Sequence, residues 1–302
     1  MASAAELAIP VELAIPVELV WDSQCGTGES CTWDARHGRV LFCDIPAGRI
    51  HAYRVADGAT QTWQLPGVVG SFGLCRSGRW VVALRDRVVL FDPATEVMTP
   101  LAGPIDQPAS VRLNDGKVGP DGSFWVGGIN EDPAKAPVAA LWRVTPDGRV
   151  ERKAEGIVNS NGLAWLPDGT IMFHADTRPG LLFAWDFDAA AGAIANRRHL
   201  ATLTDAEGRP DGGATDAEGC YWSAGNSASY LNRFSPTGAL LGRVTLPVPA
   251  PTMPCFAGDW IYLTSLRNGR PQAQLDANPA MGGLFRLKAP VAGAPVALFD
   301  DL

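Results

Sequence analysis

The 302-residue chain lacks several features that would assign it to a familiar class. It has no run of 18 apolar residues, so no segment resembles a transmembrane helix. Its 25 Lys and Arg residues are scattered and outnumbered by 32 Asp and Glu residues, without a basic stripe. A nucleic acid is therefore a poor candidate partner. We expect neither a membrane nor a nucleic acid to bind this chain.

The N-terminus lacks a basic region, and three glutamates interrupt its apolar residues, which is not typical of a secretory signal. The hexad AIPVEL occurs there twice in tandem. We interpret residues 1–17 as an N-terminal extension and residues 18–302 as one domain. The six cysteines contain no CxxC pair, which argues against a zinc ribbon or a small disulfide scaffold. We expect mostly buried, reduced thiols in a cytoplasmic protein, although the even count leaves a disulfide open.

Three further absences narrow the fold and the chemistry. No G-x-S-x-G motif is present, which disfavours an ordinary serine hydrolase. The four histidines are scattered, which disfavours a His-rich zinc site. Convincing amphipathic helices are missing, because 24 Pro and 33 Gly residues interrupt almost every candidate window.

The chain does contain an internal repeat. A turn glycine followed by a strand-like run occurs six times, at spacings of 40, 44, 47, 50 and 39 residues. These marker glycines are Gly38, Gly78, Gly122, Gly169, Gly219 and Gly258. A second series of six short strands, from RIHAYRVADG to GLFRLKAPVAG, interleaves with the first. Repeats of this length with about four strands each predict an all-β fold, a six-bladed β-propeller. A β-sandwich or an open solenoid explains neither series.

A propeller must close its ring, which removes exposed sheet edges. We expect the segment VELVWDS, which follows the extension, to pair with the last blade. We interpret APVALFD, near the C-terminus, as the final strand of that blade.

Four polar residues occupy the same phase of the repeat. Glu29, Asn114, Asn161 and Asp211 each lie about 7 to 10 residues before a marker glycine. Equal phase in a radial repeat predicts that they meet near the axis, at one face. Singly, an Asn-Gly or Asp-Gly pair is above all a turn former, and a lone glutamate is often a solvated loop acid. Together, two carboxylates and an amide oxygen suit a divalent cation such as Ca²⁺, Mg²⁺, Mn²⁺ or Zn²⁺.

At these residues the sequence resembles the gluconolactonase/regucalcin family, also called the senescence marker protein/luciferin-regenerating group. The resemblance covers essentially the whole chain after the extension. It rests on the order and spacing of five segments, GESCTWD, RLNDGKVGPDGSFWVGG, NGLAWLPDGTIMFHADT, PDGGATDAEGCYWSA and PTMPCFAGDWIYLTS. It implies a six-bladed propeller with one divalent metal ion in the central channel.

The resemblance also implies an activity, the metal-dependent hydrolysis of a sugar-acid (aldono-) lactone to the aldonic acid. Glu29, Asn161 and Asp211 match the metal ligands of the family, and Asp211 also matches its proposed general base. Arg112 and Asn114 match substrate-binding residues, and Glu131 would lie near the substrate mouth. The metal stays open among Ca²⁺, Zn²⁺, Mg²⁺, Mn²⁺ and Fe²⁺. The expected partner is a small-molecule sugar lactone, and we expect a monomer.

Some positions depart from the family pattern and leave the substrate open. Cys31 replaces a usual proline, the pair Gly127–Gly128 replaces a more usual Gly-Thr, and His174 replaces an aromatic or aliphatic residue. We expect Cys31 and His174 to be packing residues. One alternative is a phosphotriesterase or another lactonase on the same scaffold, with candidate apolar walls at Phe72, Ile129 and Trp222. Another is a non-catalytic calcium-binding propeller.

Overall fold

The computed structural model describes residues 11–302. Two strands precede the first blade, β1 (Val11–Glu12) and β2 (Val17–Trp21). Twelve strands then form blades one to three: β3 (Gly28–Asp34), β4 (Arg39–Asp44), β5 (Arg49–Arg54), β6 (Thr60–Gln64), β7 (Ser71–Leu74), β8 (Trp80–Ala83), β9 (Val88–Phe91), β10 (Met98–Ala102), β11 (Val111–Val118), β12 (Phe124–Asn130), β13 (Ala139–Val144) and β14 (Val150–Ile157).

The second half of the ring repeats this arrangement. Blades four to six contain β15 (Ser160–Trp165), β16 (Ile171–Asp176), β17 (Leu181–Asp188), β18 (Ala193–Thr202), β19 (Pro210–Thr215), β20 (Tyr221–Gly225), β21 (Tyr230–Phe234), β22 (Leu240–Thr245), β23 (Pro251–Ala257), β24 (Trp260–Ser265), α1 (Gln272–Ala277) and β25 (Leu284–Lys288). Within each blade consecutive strands pair antiparallel. The predicted six-bladed β-propeller is confirmed.

The marker glycines explain why the repeat folds in this way. All six have φ between 59° and 98°, and each lies in the turn between the first and second strands of its blade. Glycine adopts this left-handed conformation without steric cost. The runs that follow pack between neighbouring blades. Trp125 of blade three, for example, contacts Trp165 and Phe187 of blade four, with ring centroids 5.4 to 6.3 Å apart.

The ring closes as predicted at its N-terminal end and differently at its C-terminal end. Strand β2 pairs antiparallel with β25 and becomes the outermost strand of blade six. The prediction that residues 294–300 form the last strand of this blade is wrong. They cross one face of the ring, where Phe299 bridges Cys75 of blade two and the amide of Asp300 donates to Gly122 of blade three. Because β2 already completes the four-stranded blade, the C-terminal segment is left to cover the ring.

Part of the predicted extension contacts the propeller. Strand β1 pairs in parallel with β22, and the Leu13 amide donates to the Arg243 carbonyl at 2.7 Å. Blade five therefore has a fifth strand. The first part of the extension, residues 1–10, lies outside the described residues.

The innermost strands β3, β7, β11, β15, β19 and β23 are neighbours around the axis. All six begin at one face, here called the site face, and run toward the other, the tail face, which residues 294–300 cover. The connection of residues 266–283, which contains α1, also lies on the site face because it follows the antiparallel strand β24. No helix in the described chain has the length and hydropathy of a membrane span.

Candidate active site

Three predicted site residues occupy equivalent positions in three blades. Glu29, Asn161 and Asp211 are the second residues of the inner strands β3, β15 and β19, and all three are buried. Asn114, on inner strand β11, is also buried. The structure therefore places the four residues of equal phase at the same end of the inner strands.

A backbone irregularity lies at each of these positions. The strand register shifts after Glu29, Leu113, Asn161 and Pro210. Inner strand β7 of blade two has no such shift, whereas β23 of blade six has one between Pro251 and Pro254, and neither strand supplies a predicted residue. A β-bulge changes the direction of nearby side chains, and bulges are common beside active sites. The shifts therefore help to turn the polar side chains toward the axis.

The Asn-Gly pair of blade four shows this most clearly. Gly162 has φ of 68°, and a Cβ atom there would lie 2.4 Å from the Tyr221 hydroxyl and 2.9 Å from the Asp211 carbonyl. No other residue type fits without displacement of a neighbouring strand. The glycine thus brings blades four and five together directly behind Asn161.

The acidic residues of the site influence one another. Burial raises the pKa of Glu29 well above its usual value, and the charges of Asp211 and Asp115 raise it further. Burial, together with the charge of Asp115, raises the pKa of Asp211 to about 8. Three buried carboxyl groups therefore destabilise one another's ionised forms, which is the expected consequence of like charges in a poorly solvated site.

Hydrogen bonds leave part of these carboxylates unused. One oxygen of Glu29 accepts from the Ser30 amide at 2.8 Å, and Oδ2 of Asp211 accepts from Asn226 at 2.5 Å. Among the described residues no donor contacts the second oxygen of either group, and buried Oδ1 of Asp115 also has no partner. Since buried carboxylates are normally hydrogen-bonded or bound to a cation, these oxygens fit a metal ion.

The amide group of Asn161 has a defined orientation. Its Nδ2 donates to Thr177 Oγ1 at 2.6 Å, and that hydroxyl donates to the Pro210 carbonyl at 2.7 Å. The Asn161 Oδ1 atom therefore points away from Thr177 and accepts from Asn114 at 2.9 Å. An amide oxygen beside two carboxylates completes an oxygen-only donor set, which suits a hard divalent cation.

The predicted substrate-binding residues form a second group beside the first. Arg112 donates to Oδ1 of Asn114 at 2.8 Å and to Glu131 at 3.0 Å. Arg85 donates to the other oxygen of Glu131 at 2.9 Å. The structure thus brings Glu131, which is exposed, to the guanidinium of Arg112.

Three residues of this site have no role predicted from the sequence. Asp115 is buried, Lys117 is half-buried, and Lys117 Nζ donates to the Gly213 carbonyl at 2.6 Å. Burial lowers the pKa of Lys117, while the nearby charge of Asp115 opposes that change. Both residues lie inside the segment RLNDGKVG, whose motif is recognisable in the sequence. The direction of their side chains is not. Asn226, which contacts Asp211, gave no sequence signal.

Two other clusters bring three potential ligand atoms within 4.8 Å of one another, Cys25–Asp44–His51 and Asp216–Glu218–Cys220. In the first, both oxygens of Asp44 already accept backbone amides at 3.1 Å. In the second, both oxygens of Asp216 accept hydrogen bonds. These carboxylates are satisfied by the protein itself, unlike those of Glu29 and Asp211.

The chain is similar to known proteins over most of its length. Residues 27–267 match the SMP-30/gluconolactonase/LRE-like region. A 6-deoxy-6-sulfogluconolactonase from Pseudomonas putida is 36% identical over 276 residues, which cover 90% of this chain and 94% of that protein. Human regucalcin is 32% identical over 276 residues, with coverage of 89% and 92%. The chain belongs to the SMP-30/gluconolactonase/LRE-like family.

A solved structure supports the same assignment. The crystal structure of a calcium-binding regucalcin from Agrobacterium tumefaciens has a TM-score of 0.89 and 25% sequence identity, and covers 96% of this chain and 99% of that one. The predicted family resemblance is therefore confirmed.

Two departures from the family pattern are packed as expected. The sulfur of Cys31 lies 3.0 Å from that of Cys255, and all six cysteines are buried free thiols. His174 is buried and lies 2.8 Å from the Ser160 hydroxyl, and burial lowers its pKa to about 4.

A cavity of about 250 Å³ extends along the axis toward the tail face. Phe72, one of the predicted apolar walls, lines this cavity together with Cys31, Lys117 and residues 294–297. Trp222 does not line it, because its indole is buried and donates to Asp216 at 2.9 Å. Ile129 does not line it either. The acidic residues thus lie between this cavity and the site face.

Proposed function

We propose that the chain hydrolyses a sugar-acid lactone, an aldonolactone, to the open aldonic acid. The convergence of Glu29, Asn161 and Asp211 at the second positions of three inner strands is the observation that carries this proposal. Family membership supports it, since one relative is named as a sugar lactonase. Function on a common fold must be argued from the site, and here the site and the family agree.

We assign one divalent metal ion to Glu29, Asn161 and Asp211. Oxygen donors without described partners and an amide oriented by Thr177 fit such an ion. Ca²⁺, Zn²⁺, Mg²⁺, Mn²⁺ and Fe²⁺ are the candidates, and the oxygen-only set favours the harder ones. When bound, a divalent ion supplies Lewis acidity toward the lactone carbonyl and lowers the pKa of water.

The remaining roles fall to side chains of the chain itself. Asp211 is the candidate general base, because one of its oxygens has no donor among residues 11–302 and is available to accept a proton from water. Arg112 and Asn114 would bind substrate hydroxyls and stabilise charge that develops on the lactone oxygen. Glu131 fixes the guanidinium of Arg112 and lies at the exposed edge of the site.

A pH-indicator assay with a panel of pentono- and hexonolactones tests the proposal. The protein is stripped with a chelator, and each candidate metal is added back separately, with spontaneous hydrolysis subtracted. We expect metal-dependent turnover that is lost in Glu29→Gln and Asp211→Asn. Asp168→Asn is the matched control, because Asp168 is an exposed turn residue on the tail-face side of β15.

Failure of every lactone with every metal would contradict the proposal. Turnover of phosphotriesters would then favour a different hydrolase on this scaffold. Calcium-dependent stabilisation without turnover of either class would instead favour a non-catalytic binding protein.

A further inference from the structure

Arg270 is a half-buried cation on the site face, at the start of the connection 266–283. Its guanidinium lies 3.3 Å from the carbonyl oxygen of Asn226 and 3.5 Å from its side-chain oxygen. Among residues 11–302 it has no carboxylate within 4.0 Å, in contrast to most arginines of this chain. An unpaired guanidinium in a partly desolvated position indicates a missing anion.

The position of Arg270 links it to the reaction site. Asn226 bridges the two, because its Nδ2 donates to Oδ2 of Asp211 at 2.5 Å. One amide group and two polar contacts therefore separate the guanidinium from the carboxylate.

The negative charges of the site can be neutralised without Arg270. The carboxylate of Asp115 is offset by the ammonium of Lys117. The two remaining carboxylates, Glu29 and Asp211, would be offset by one divalent ion. With that ion bound, the buried cluster is neutral and the positive charge of Arg270 remains.

On the other side of the mouth, both guanidinium groups have a carboxylate partner. Glu131 lies within 3.0 Å of both Arg112 and Arg85 and is their shared carboxylate partner. Near Arg270, by contrast, Arg209 is paired only with Asp205, a largely exposed residue. Arg209 adjoins the same residue as Arg270, because the Asn226 amide donates to the Arg209 carbonyl at 2.9 Å. Of these four guanidinium groups, only that of Arg270 has no carboxylate within 4.0 Å among residues 11–302.

We propose that Arg270, assisted by Arg209, binds an anionic group on the terminal carbon of the lactone. The site would then select acidic aldonolactones, which carry a carboxylate, a phosphate or a sulfonate, over neutral ones. A guanidinium binds all three groups through paired N–H donors. This inference rests on the proposed lactonase function and adds a specificity-determining residue to it.

The test compares kcat/KM for neutral and acidic aldonolactones with the full-length, metal-loaded protein. The neutral substrate is gluconolactone, and the acidic ones are an aldaric acid monolactone and 6-phosphogluconolactone. We expect acidic substrates to be preferred in the native protein, and Arg270→Gln to lower their kcat/KM about tenfold or more. The loss with the neutral lactone should be smaller, at most about threefold. Arg270→Lys should restore part of the preference because it keeps the charge without the planar guanidinium.

Arg267→Gln is the matched control in the same connection. Its guanidinium contacts the Met281 carbonyl at 3.5 Å, so the substitution removes one charge without removal of the proposed subsite. We expect it to leave the preference unchanged, and added salt to weaken the native preference.

Two outcomes would overturn the inference. One is equal turnover of neutral and acidic lactones by the native protein, and the other is an equal loss for both in Arg270→Gln. In either case the lactonase function would stand. If no lactone is hydrolysed, titration calorimetry with aldarate and aldonate, the open-chain acids, tests Arg270 separately. Equal affinity of the two acids in native protein and in Arg270→Gln would then overturn it.

Discussion

Asp211 lies at the start of inner strand β19, and Asp216 directly follows the end of that strand, five residues later; both are buried. Asp216 accepts four hydrogen bonds, from the amides of Glu218 and Cys220, the indole of Trp222 and the guanidinium of Arg233. Asp211 accepts only one described side-chain bond, from Asn226. One end of the strand holds a satisfied carboxylate and the other holds an unsatisfied one.

The difference separates a structural acid from a functional one. Burial of a charge without compensating partners is costly, so a protein retains such a group where something else compensates it. At the tail face Arg233 and three further donors provide that compensation for Asp216. At the site face the chain provides a second acid, Glu29, which makes the cost larger. A cation is the missing partner that we propose.

The substitution Asp211→Asn changes the acid that we assign to function, and we expect it to have the largest effect. It removes a proposed metal ligand and the candidate base, so we expect kcat/KM for a lactone to fall by about 10²- to 10³-fold. It also removes one of the mutually repelling carboxylates, so the metal-free variant should unfold at a higher temperature than the native protein. Lactone assays and thermal unfolding after chelation measure the two effects. A variant that lost activity because it was misfolded would unfold at a lower temperature instead.

The substitution Asp216→Asn changes the acid that we assign to structure. Its amide nitrogen would face the indole of Trp222 or the guanidinium of Arg233, both of which are donors. We expect the free energy of unfolding to fall by about 3 kcal/mol, as for other broken buried ion pairs. Urea denaturation measures this loss. At a temperature where the variant remains folded, its affinity for metal should equal that of the native protein, and a weaker affinity would argue against the separation of roles.

The sequence predicted the fold well because local signals repeat in it. The marker glycines stand in turns that require positive φ, and the apolar runs after them fill the space between blades. The closure by residues 17–21 was predicted for the same reason, since a propeller leaves one strand position open. The path of residues 294–300 was not predictable from APVALFD, because a short apolar run fits a blade strand and a covering segment equally well.

The candidate site was only partly visible in the sequence. Equal phase identified Glu29, Asn161 and Asp211, but phase does not reveal the register shifts that turn side chains toward the axis. Asp115 and Lys117 were therefore given no role, although they lie within a motif already quoted. The contacts of Arg270 depend on the course of a long connection, for which no repeat exists.

The pH dependence of stability tests the unsatisfied acids as a group. Burial raises the folded-state pKa values of Glu29, Asp115 and Asp211, that of Asp211 to about 8, above the ordinary value near 4. Folding thus favours the protonated forms, so this contribution is complete below about pH 4 and is lost as the pH rises toward 8. A metal ion needs the deprotonated forms. The rise in unfolding temperature on metal addition should therefore be larger at pH 8 than at pH 5.

Measurement of thermal unfolding with chelator and with each metal, at several pH values, gives this comparison. Asp211→Asn is the control, since it should reduce the dependence on pH. An equal effect of metal at pH 5 and pH 8 would contradict the assignment of these carboxylates to the metal.

Thr177→Val tests the proposed metal site indirectly, through a residue that orients a ligand, and should have a smaller effect on metal binding. The substitution removes the hydroxyl that orients the Asn161 amide and that donates to the Pro210 carbonyl. We expect metal affinity to fall about tenfold, which is typical when a group that orients a ligand is lost. Thr215→Val is the matched control, because the Thr215 hydroxyl likewise donates to a carbonyl of the neighbouring blade, that of Trp165, at 2.6 Å. Titration calorimetry should show weaker metal binding only in the Thr177 variant.

Glu12→Ala should give the smallest effect and extends the comparison to an exposed carboxylate. Glu12 accepts from the amide and the hydroxyl of Thr245 at 3.0 and 2.6 Å, so its hydrogen bonding resembles that of a satisfied acid. Its side chain is half exposed, and water replaces these bonds when they are lost. We expect the free energy of unfolding to fall by less than about 1 kcal/mol, with metal affinity and activity unchanged. A loss as large as that for Asp216→Asn would mean that hydrogen bonding, and not burial, sets the cost of removing an acid from this protein.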